Sequence, residues 1–258
     1  MPPPVLRPLS VGEILDTSFS LYRRHFGALA TVSLVCTGLP LVLRLFVEAA
    51  GGLFAHLTLA LVYFLSLVVL SLIATGATVF IVSESYLGRP LNAQEALMRA
   101  APYVGRILVA SLLMALVIGM GFLLIVFPGV ILAVGLAVAI PAVVLEAGQS
   151  ASGALSRSWE LTRGSRWRIL GLGITLFVLL YVPVLAISGL VAVLLPGGSA
   201  VAFGPSSTAT IVALAIGGVI QLFIYPLFYC VLTVTYYDLR VRKEGFDLEL
   251  LASSLQTV

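Results

Sequence analysis

Three carboxylates are the residues of this chain that come closest to a reactive constellation. Glu84, Glu146 and Asp238 each stand at the end of a long apolar run, and carboxylates that the fold brings together can act as general acid and general base. Each also has an arginine close by in the sequence: Arg89, Arg157 and Arg240. Because helix-end acids commonly form ion pairs, we predict these pairs and leave open whether the three acids converge.

One charged side chain and one amide side chain fall inside apolar runs. Arg44 could mark a path for an anion, because an intramembrane charge costs about 2.5 kcal/mol or more at the bilayer centre and often has a function. It lies near the end of its run, however, and an ion pair with Glu48 one helical turn later explains it equally well. Gln221 lies more centrally, where we expect its amide to bridge two helices by hydrogen bonding.

The other residues capable of chemistry form no known catalytic or ligand-binding pattern. His25 and His56 flank opposite ends of one apolar run, so they cannot share a metal ion. Cys36 and Cys230 lie inside apolar runs, where packing is the usual role. No metalloprotease, serine-hydrolase, phosphate-loop or paired-cysteine motif occurs. We therefore expect no enzyme activity, no metal and no cofactor.

The composition is typical of a membrane protein. Of the 258 residues, 60% are hydrophobic and 10% are charged, whereas an average soluble domain has about 25% charged residues. A soluble fold could not cover such an apolar core with so few polar side chains. The net charge of +3 does not indicate a nucleic-acid partner, because the basic residues flank apolar runs, where they contact anionic phospholipid headgroups.

The positions of arginine and lysine predict how the chain threads the membrane. Thirteen of the 14 basic residues lie in four clusters that alternate with nearly uncharged apolar runs. The clusters are the N-terminal segment (Arg7, Arg23, Arg24), a first loop (Arg89, Arg99, Arg106), a second loop (Arg157, Arg163, Arg166, Arg168) and the C-terminal tail (Arg240, Arg242, Lys243). Because basic residues concentrate in cytoplasmic loops, we predict six spans and two cytoplasmic termini.

About 20 apolar residues cross the hydrocarbon as a helix, and this length sets the limits of the spans. They are residues 26–47, 57–82, 107–127, 129–145, 169–195 and 209–237. The third and fourth spans meet at Pro128 and form a hairpin. Small residues four apart, such as Ala213 and Gly217, favour close helix contact. Four prolines inside spans favour kinks: Pro40, Pro141, Pro183 and Pro226.

One order of elements occurs three times: an amphipathic segment, basic residues and two spans. The amphipathic segments begin at capping residues, namely Ser10, Asn92 and the stretch 150–152. The predicted repeat units are residues 8–86, 90–148 and 150–240, followed by a cytoplasmic tail of residues 241–258, all within one integral membrane domain of residues 1–258. Since each unit crosses twice, successive units share one orientation, unlike inverted transporter repeats.

We predict that the amphipathic segments are helices at the inner membrane interface, with ordinary polar loops as the alternative. Trp159 and Trp167 would anchor the third segment at headgroup depth. Four arginines would face anionic headgroups: Arg157, Arg163, Arg166 and Arg168. The predicted fold class is therefore all-α, a polytopic membrane protein with six transmembrane helices and three interfacial helices.

Several stretches carry a family resemblance. They are GEILD at residues 12–16, YR at 22–23, ALSRSWELTRG at 154–164, RWR at 166–168 and YYDLRVRKEGFDLEL at 236–250. Together they resemble the glycerophosphoryl diester phosphodiesterase membrane domain of prokaryotic proteins, over essentially the whole chain. The resemblance implies a bacterial cytoplasmic membrane. We expect the family's separate catalytic barrel to be absent, because spans and connectors use all 258 residues, and no catalytic residue carries over.

Two functions are predicted. The first is a non-enzymatic scaffold, regulator or accessory of envelope or transport processes, with a membrane or cytoplasmic protein as partner. The alternative is a small permease or lipid-handling protein with a cavity among the three units. The lack of a catalytic pattern in the sequence favours both over an intramembrane enzyme.

Overall fold

The computed structural model describes residues 7–52, 56–194 and 208–246. Within these ranges the chain is helical and contains no strand, which confirms the all-α class. The elements are α1 (Val11–Arg24), α2 (Phe26–Ser33), a π-helical turn (Leu34–Gly38), α3 (Leu39–Ala49), α4 (Leu57–Tyr86), α5 (Ala93–Ala100), a 3-10 turn (Ala101–Tyr103), α6 (Val104–Leu124), α7 (Val126–Gly135), α8 (Ala139–Leu145), α9 (Ala151–Thr162), α10 (Arg166–Leu194) and α11 (Thr208–Glu244).

Six stretches of helix are long and apolar enough to cross a membrane, as predicted. They are Phe26–Ala49, Leu57–Tyr86, Ala93–Leu124, Val126–Leu145, Arg166–Ile187 and Ile211–Glu244. Their limits differ from the predicted spans. The third stretch differs most, because it begins at Ala93 of α5 and not at residue 107. The last stretch also differs, since α11 continues through the predicted start of the tail at residue 241 and ends at Glu244. Residues 247–258 of that tail, and most of the loop before α11, lie outside the described residues.

The third and fourth spans depart locally from the prediction. The chain reverses at Ile125, whose backbone is extended, and not at Pro128. Pro128 fits the first turn of α7, where its missing N–H has no intrahelical partner in any case. The fourth span breaks at residues 136–138, because the ring of Pro141 would clash with the carbonyl four residues earlier. Pro183 and Pro226 lie inside helices that continue past them, whereas Pro40 lies in the first turn of α3, directly after the π-helical turn.

Each amphipathic segment begins at a side-chain cap, which confirms the predicted helix starts. Ser10 and Glu13 form a capping box at α1. Asn92 caps α5, and Ser150 caps α9, each through the N–H three residues later. Three hydrogen bonds lower the pKa of Glu13 to about 2. The largest effect comes from the Ser10 backbone, followed by the Ser10 hydroxyl and the Arg7 guanidinium.

The three amphipathic helices also bury matching positions. Counted from the capping residue, the fourth and eighth positions are buried in every one of them: Ile14, Ala96 and Ala154, then Ser18, Ala100 and Ser158. Positions four apart share one face of a helix. Each helix therefore turns one narrow stripe toward the rest of the molecule.

These stripes pack on three other helices that form the core. α5 packs on α4, α9 on α8, and α1 on α11, so the first helix of the chain closes against the last. The covered segments are buried without interruption over residues 74–79, 138–144 and 233–239. The helices that contain them, α4, α8 and α11, also contact one another. The core thus consists of one segment from each predicted unit.

The α6–α7 hairpin is tightly packed, and its tip lies beside the start of α10. A Cβ on Gly121 or Gly129 would come within 2.6 Å of a side chain on the facing helix, so both glycines permit the close approach. Residues 125–127 at the tip line one groove together with Arg166 and Trp167. The predicted threading assigns the tip and these two residues to opposite sides of the membrane, whereas the fold brings them together.

Candidate functional site: a polar cavity and three carboxylate clusters

Arg44 and Gln221, the charged side chain and the amide of the apolar runs, lie in one cavity. It has a volume of about 370 Å³ and lies between α3, α4 and α11. Thr37 and Tyr63 add further polar groups, and the other walls are apolar or formed by glycine. Because these residues are far apart in the sequence, only the fold reveals the site.

Arg44 forms the predicted ion pair. Its guanidinium lies 3.1 Å from the Glu48 carboxylate and 5.6 Å from the centroid of the Tyr63 ring. Glu48 is only 7% exposed, so the two charges compensate each other in apolar surroundings. A guanidinium has five N–H donors, and those that Glu48 does not use are available to a molecule in the cavity.

Gln221 does not form the predicted bridge between helices. Its amide makes no hydrogen bond with a described residue, and it is exposed at the edge of the cavity. A Cβ on Gly217 would meet nothing within 4 Å, whereas a Cβ on the adjacent Gly218 would lie 2.2 Å from Leu41. The close helix contact is therefore made by Gly218 and not, as predicted, by Gly217, which lines the cavity together with Ala213.

The π-helical turn contributes Thr37 to the cavity wall. The Thr37 hydroxyl donates a hydrogen bond to the Ser33 carbonyl at 2.6 Å. The side chain thus provides a partner for a backbone carbonyl next to the widened π-helical turn. Short π-helical segments within α-helices are frequent at functional sites. The π-helical turn in the wall of this cavity agrees with the polar character of the cavity.

Glu84 and Glu146 form their predicted ion pairs. The Glu84 carboxylate lies 3.2 Å from Arg89 and 3.7 Å from Arg99 of α5. Glu146 accepts hydrogen bonds from Arg157 of α9 at 2.8 Å and from the Tyr236 hydroxyl at 2.9 Å. These pairs join each acid to the amphipathic helix that follows it.

Arg157 lies between two carboxylates. Besides Glu146, it contacts Glu244 at 2.5 Å. Hydrogen bonding to Glu244, and then to Glu146, raises the pKa of Arg157 above its ordinary value. Arg240 pairs with Glu244 as well, at 3.0 Å, so the end of α11 is joined to α9 by a continuous network of charges.

Asp238 has a fully buried side chain. It pairs with Arg168 at the start of α10 and with Arg242 at 3.1 Å, and it accepts the Leu9 N–H at 2.7 Å. The predicted pair with Arg240 is wrong. In a helix, Arg242 lies one turn beyond Asp238 on the same face, whereas Arg240 points away.

Each of the three carboxylates pairs with arginines of its own, so each belongs to a separate charge cluster. Among the described residues, no group of three or more His, Cys, Asp or Glu side chains could hold a metal ion. Arg99, Arg157 and Leu9 connect the three acids to α5, to α9 and to the segment before α1. The clusters therefore fasten the three amphipathic helices to the core.

Only two of the four arginines predicted to face headgroups are free to do so. Arg157 and Arg168 are turned toward Glu146 and Asp238, which corrects the prediction for both. Arg163 and Arg166 make no ion pair with a described residue. Among the described residues, the arginines of this loop without an ion pair are thus Arg163, directly after α9, and Arg166, the first residue of α10.

The two tryptophans also differ in their surroundings. Trp167 is 78% exposed, as expected of an interfacial anchor. Trp159 instead lies between Gly135 and Arg166. A Cβ on Gly135 would be 2.4 Å from its ring, and the Arg166 guanidinium carbon lies 3.7 Å from the ring centroid. Trp159 therefore packs against α7 and holds Arg166 by a cation–π contact.

Sequence reasoning missed two hydroxyl side chains of α9. Ser158 donates to the Gly135 carbonyl at 2.9 Å and accepts the Val138 N–H at 3.3 Å. The Thr162 hydroxyl donates to the same carbonyl at 3.1 Å. They satisfy the backbone groups that the break between α7 and α8 releases. The available signal was a pair of small polar residues four apart on the buried face of an amphipathic helix.

An all-helical fold with six membrane-length apolar helices defines a multi-pass α-helical membrane protein. The chain belongs to the family described as Domain of unknown function (DUF7847), which matches residues 95–239. No curated protein and no solved structure gives a significant match. The resemblance to the glycerophosphoryl diester phosphodiesterase membrane domain is not tested by this family match and stays a prediction.

Proposed function

We propose that this protein is a non-enzymatic lipid-handling protein of a bacterial cytoplasmic membrane, with both termini in the cytoplasm. The cavity between α3, α4 and α11 carries the proposal. Apolar walls with a few directed polar groups are typical of small-molecule sites. The guanidinium of Arg44 and the amide of Gln221 are suited to the phosphate or ester oxygens of a lipid. Of the two predicted functions, the cavity favours lipid handling over a scaffold.

The size and position of the cavity fit one end of a lipid. A volume of about 370 Å³ lies near the lower limit of ligand pockets, which span roughly 300–1,000 Å³. Gln221 is both exposed and part of the lining, so the cavity is accessible from the surface of the bundle. A lipid can therefore insert its polar end while its chains stay in the bilayer.

The test uses crosslinking of a photoactivatable phospholipid to the purified protein in nanodiscs. Gly217→Leu places a side chain in the cavity where nothing lies within 4 Å, and it should lower labelling of the cavity peptides about tenfold, which corresponds to about 1.4 kcal/mol. Gly119→Leu is the matched control, because Gly119 also has open space around it but lies on α6. It should leave labelling unchanged.

A second variant removes the polar group without leaving a buried charge. Arg44→Gln alone would strand Glu48, so the double change Arg44→Gln and Glu48→Gln is used. Reduced labelling is expected again. If both cavity variants label like Gly119→Leu, the lipid-handling proposal fails. Capture of a specific protein partner by mild crosslinking in that case would favour the scaffold.

The proposed orientation has its own test. Reporter fusions after Gly198 and at the C-terminus should report opposite sides of the membrane, because one apolar span separates them. Two reporters on the same side would contradict the proposed threading.

A further inference from the structure

A second groove lies at the start of α10, away from the Arg44 cavity. Its volume is about 580 Å³, and apolar side chains of α7 form most of its wall, among them Val130, Ile131 and Val134. Arg166 and Trp167 complete the lining. The groove thus combines a long apolar surface with one positive charge.

Arg166 is fixed in place, and no acid among the described residues neutralises it. Its guanidinium stacks on the Trp159 ring, which limits the directions in which it can donate. Its Nε atom is buried and has no hydrogen-bond partner, and no described carboxylate pairs with it. Arg157 and Arg168 in the same loop are both paired. The terminal guanidinium N–H groups of Arg166 also have no acceptor among the described residues, and an anionic group bound in the groove could accept from them.

We infer that this groove binds one anionic phospholipid, with its phosphate on Arg166 and an acyl chain along α7. A phosphate accepts paired hydrogen bonds from a planar guanidinium. Trp167 beside it is largely exposed, as is usual for tryptophan at headgroup depth. A soluble anion would leave the apolar wall uncovered, whereas a phospholipid covers both parts of the groove.

The experiment counts phospholipids retained by the purified protein. The protein is exchanged into detergent containing equal amounts of phosphatidylglycerol and phosphatidylethanolamine, and native mass spectrometry measures bound lipid. The wild type should retain one phosphatidylglycerol. Arg166→Gln should lower this retention roughly tenfold, as expected when a charge-assisted pair of hydrogen bonds is lost. Arg163→Gln makes the same charge change three residues earlier, at an exposed position, and should retain the lipid.

A further variant tests the apolar part of the groove independently of the charge of Arg166. Val130→Trp fills the apolar part while Arg166 stays intact, and it should lower retention of both lipids. Arg166→Lys keeps the charge but loses the planar pair, so its retention should be intermediate. Unfolding midpoints of all variants, measured without added lipid, show which of them are folded. If Arg166→Gln does not fold, Arg166→Lys and Val130→Trp decide the matter.

Three outcomes would overturn the inference. Equal loss in Arg166→Gln and Arg163→Gln would indicate diffuse surface attraction without a site. Full retention in folded Val130→Trp would place the lipid elsewhere. Displacement of phosphatidylglycerol by inorganic phosphate would indicate a site for a soluble anion. Gly217→Leu should keep this lipid in every case, so the inference stands or falls separately from the proposed function.

Discussion

The Leu9 N–H donates to the Asp238 carboxylate at 2.7 Å, although the two residues are 229 positions apart. Arg168 and Arg242 pair with the same carboxylate, and both also donate to the Leu9 carbonyl, at 3.0 and 2.7 Å. The segment before α1, the start of α10 and the end of α11 therefore meet at one buried acid. This contact fastens the first amphipathic helix to the last long helix.

Asp238→Asn should lower the free energy of unfolding by about 2–3 kcal/mol, because two arginines would lose their counter-charge in a partly buried place. Thermal unfolding of the purified protein in detergent measures the change. Asp16→Asn is the control, since Asp16 is exposed, and it should stay within about 0.5 kcal/mol of wild type. Equal effects of the two changes would show that the cluster does not stabilise the fold.

Ser158→Ala should lower the free energy of unfolding by about 1–3 kcal/mol, because the Val138 N–H would be left buried without an acceptor. Ser156→Ala on the exposed side of α9 is the matched control and should be neutral or slightly stabilising. Unfolding in detergent again provides the measurement. A neutral Ser158→Ala variant would mean that the broken backbone finds another partner.

Gly135→Ala should be destabilising by about 1–3 kcal/mol, because the added methyl group would overlap the Trp159 ring and force it to move. Tryptophan fluorescence should shift to longer wavelength as the ring becomes more exposed. Gly119→Ala, where nothing lies within 4 Å of the new Cβ, should stabilise α6 by up to about 1 kcal/mol. An unshifted spectrum in Gly135→Ala would argue against the packing of Trp159 on α7.

Arg157→Glu should destabilise the protein by about 3 kcal/mol or more, because it brings a third carboxylate next to Glu146 and Glu244. Arg163→Glu, a charge reversal at an exposed and unpaired position, should change the free energy of unfolding by about 0.5 kcal/mol or less. The amount of protein in the membrane and its unfolding midpoint both report the difference. Similar losses in the two variants would assign the effect to the sign of the loop charge alone.

The stability contributed by Glu13 should depend on pH in a defined window. Its pKa is lowered from 4.5 to about 2, so the ionised carboxylate contributes fully above about pH 4.5, and this contribution is lost as the pH falls through 2. The difference in unfolding midpoint between wild type and Glu13→Gln should therefore narrow from pH 5 to pH 2. A difference that stays constant over this range would contradict an ionised Glu13 as the cause.

Local patterns in the sequence were sufficient for much of the fold. Apolar length predicted the six long helices, and capping residues such as Ser10 and Asn92 predicted the amphipathic helices, because both depend on neighbours within a few residues. The pairs Glu84–Arg89 and Glu146–Arg157 were predicted for the same reason, since each joins residues that are close in the chain.

Contacts between distant segments could not be predicted in this way. The cavity brings Arg44 and Gln221 together, and the Asp238 cluster brings Leu9 and Arg168 together. Both depend on how helices pack against one another, whereas a hydropathy pattern describes each helix separately. The pairing of Asp238 with Arg242 and not with Arg240 follows from helix geometry, but only once α11 is known to continue past residue 240. The break at residues 136–138 depends in addition on the hydroxyls of another helix.

The tip of the α6–α7 hairpin lies beside Arg166 and Trp167, and this has a consequence for counting membrane passes. A hairpin leaves a bilayer through the face by which it entered, so its two arms cancel in any count of sidedness. Whether the chain crosses the membrane an odd or an even number of times therefore does not depend on how deeply this hairpin enters. The side on which each terminus lies is equally independent of that depth. Reporters at the termini therefore show only whether the number of crossings is odd or even. A label at residues 125–127 is needed to measure how deeply the tip of the hairpin enters the bilayer.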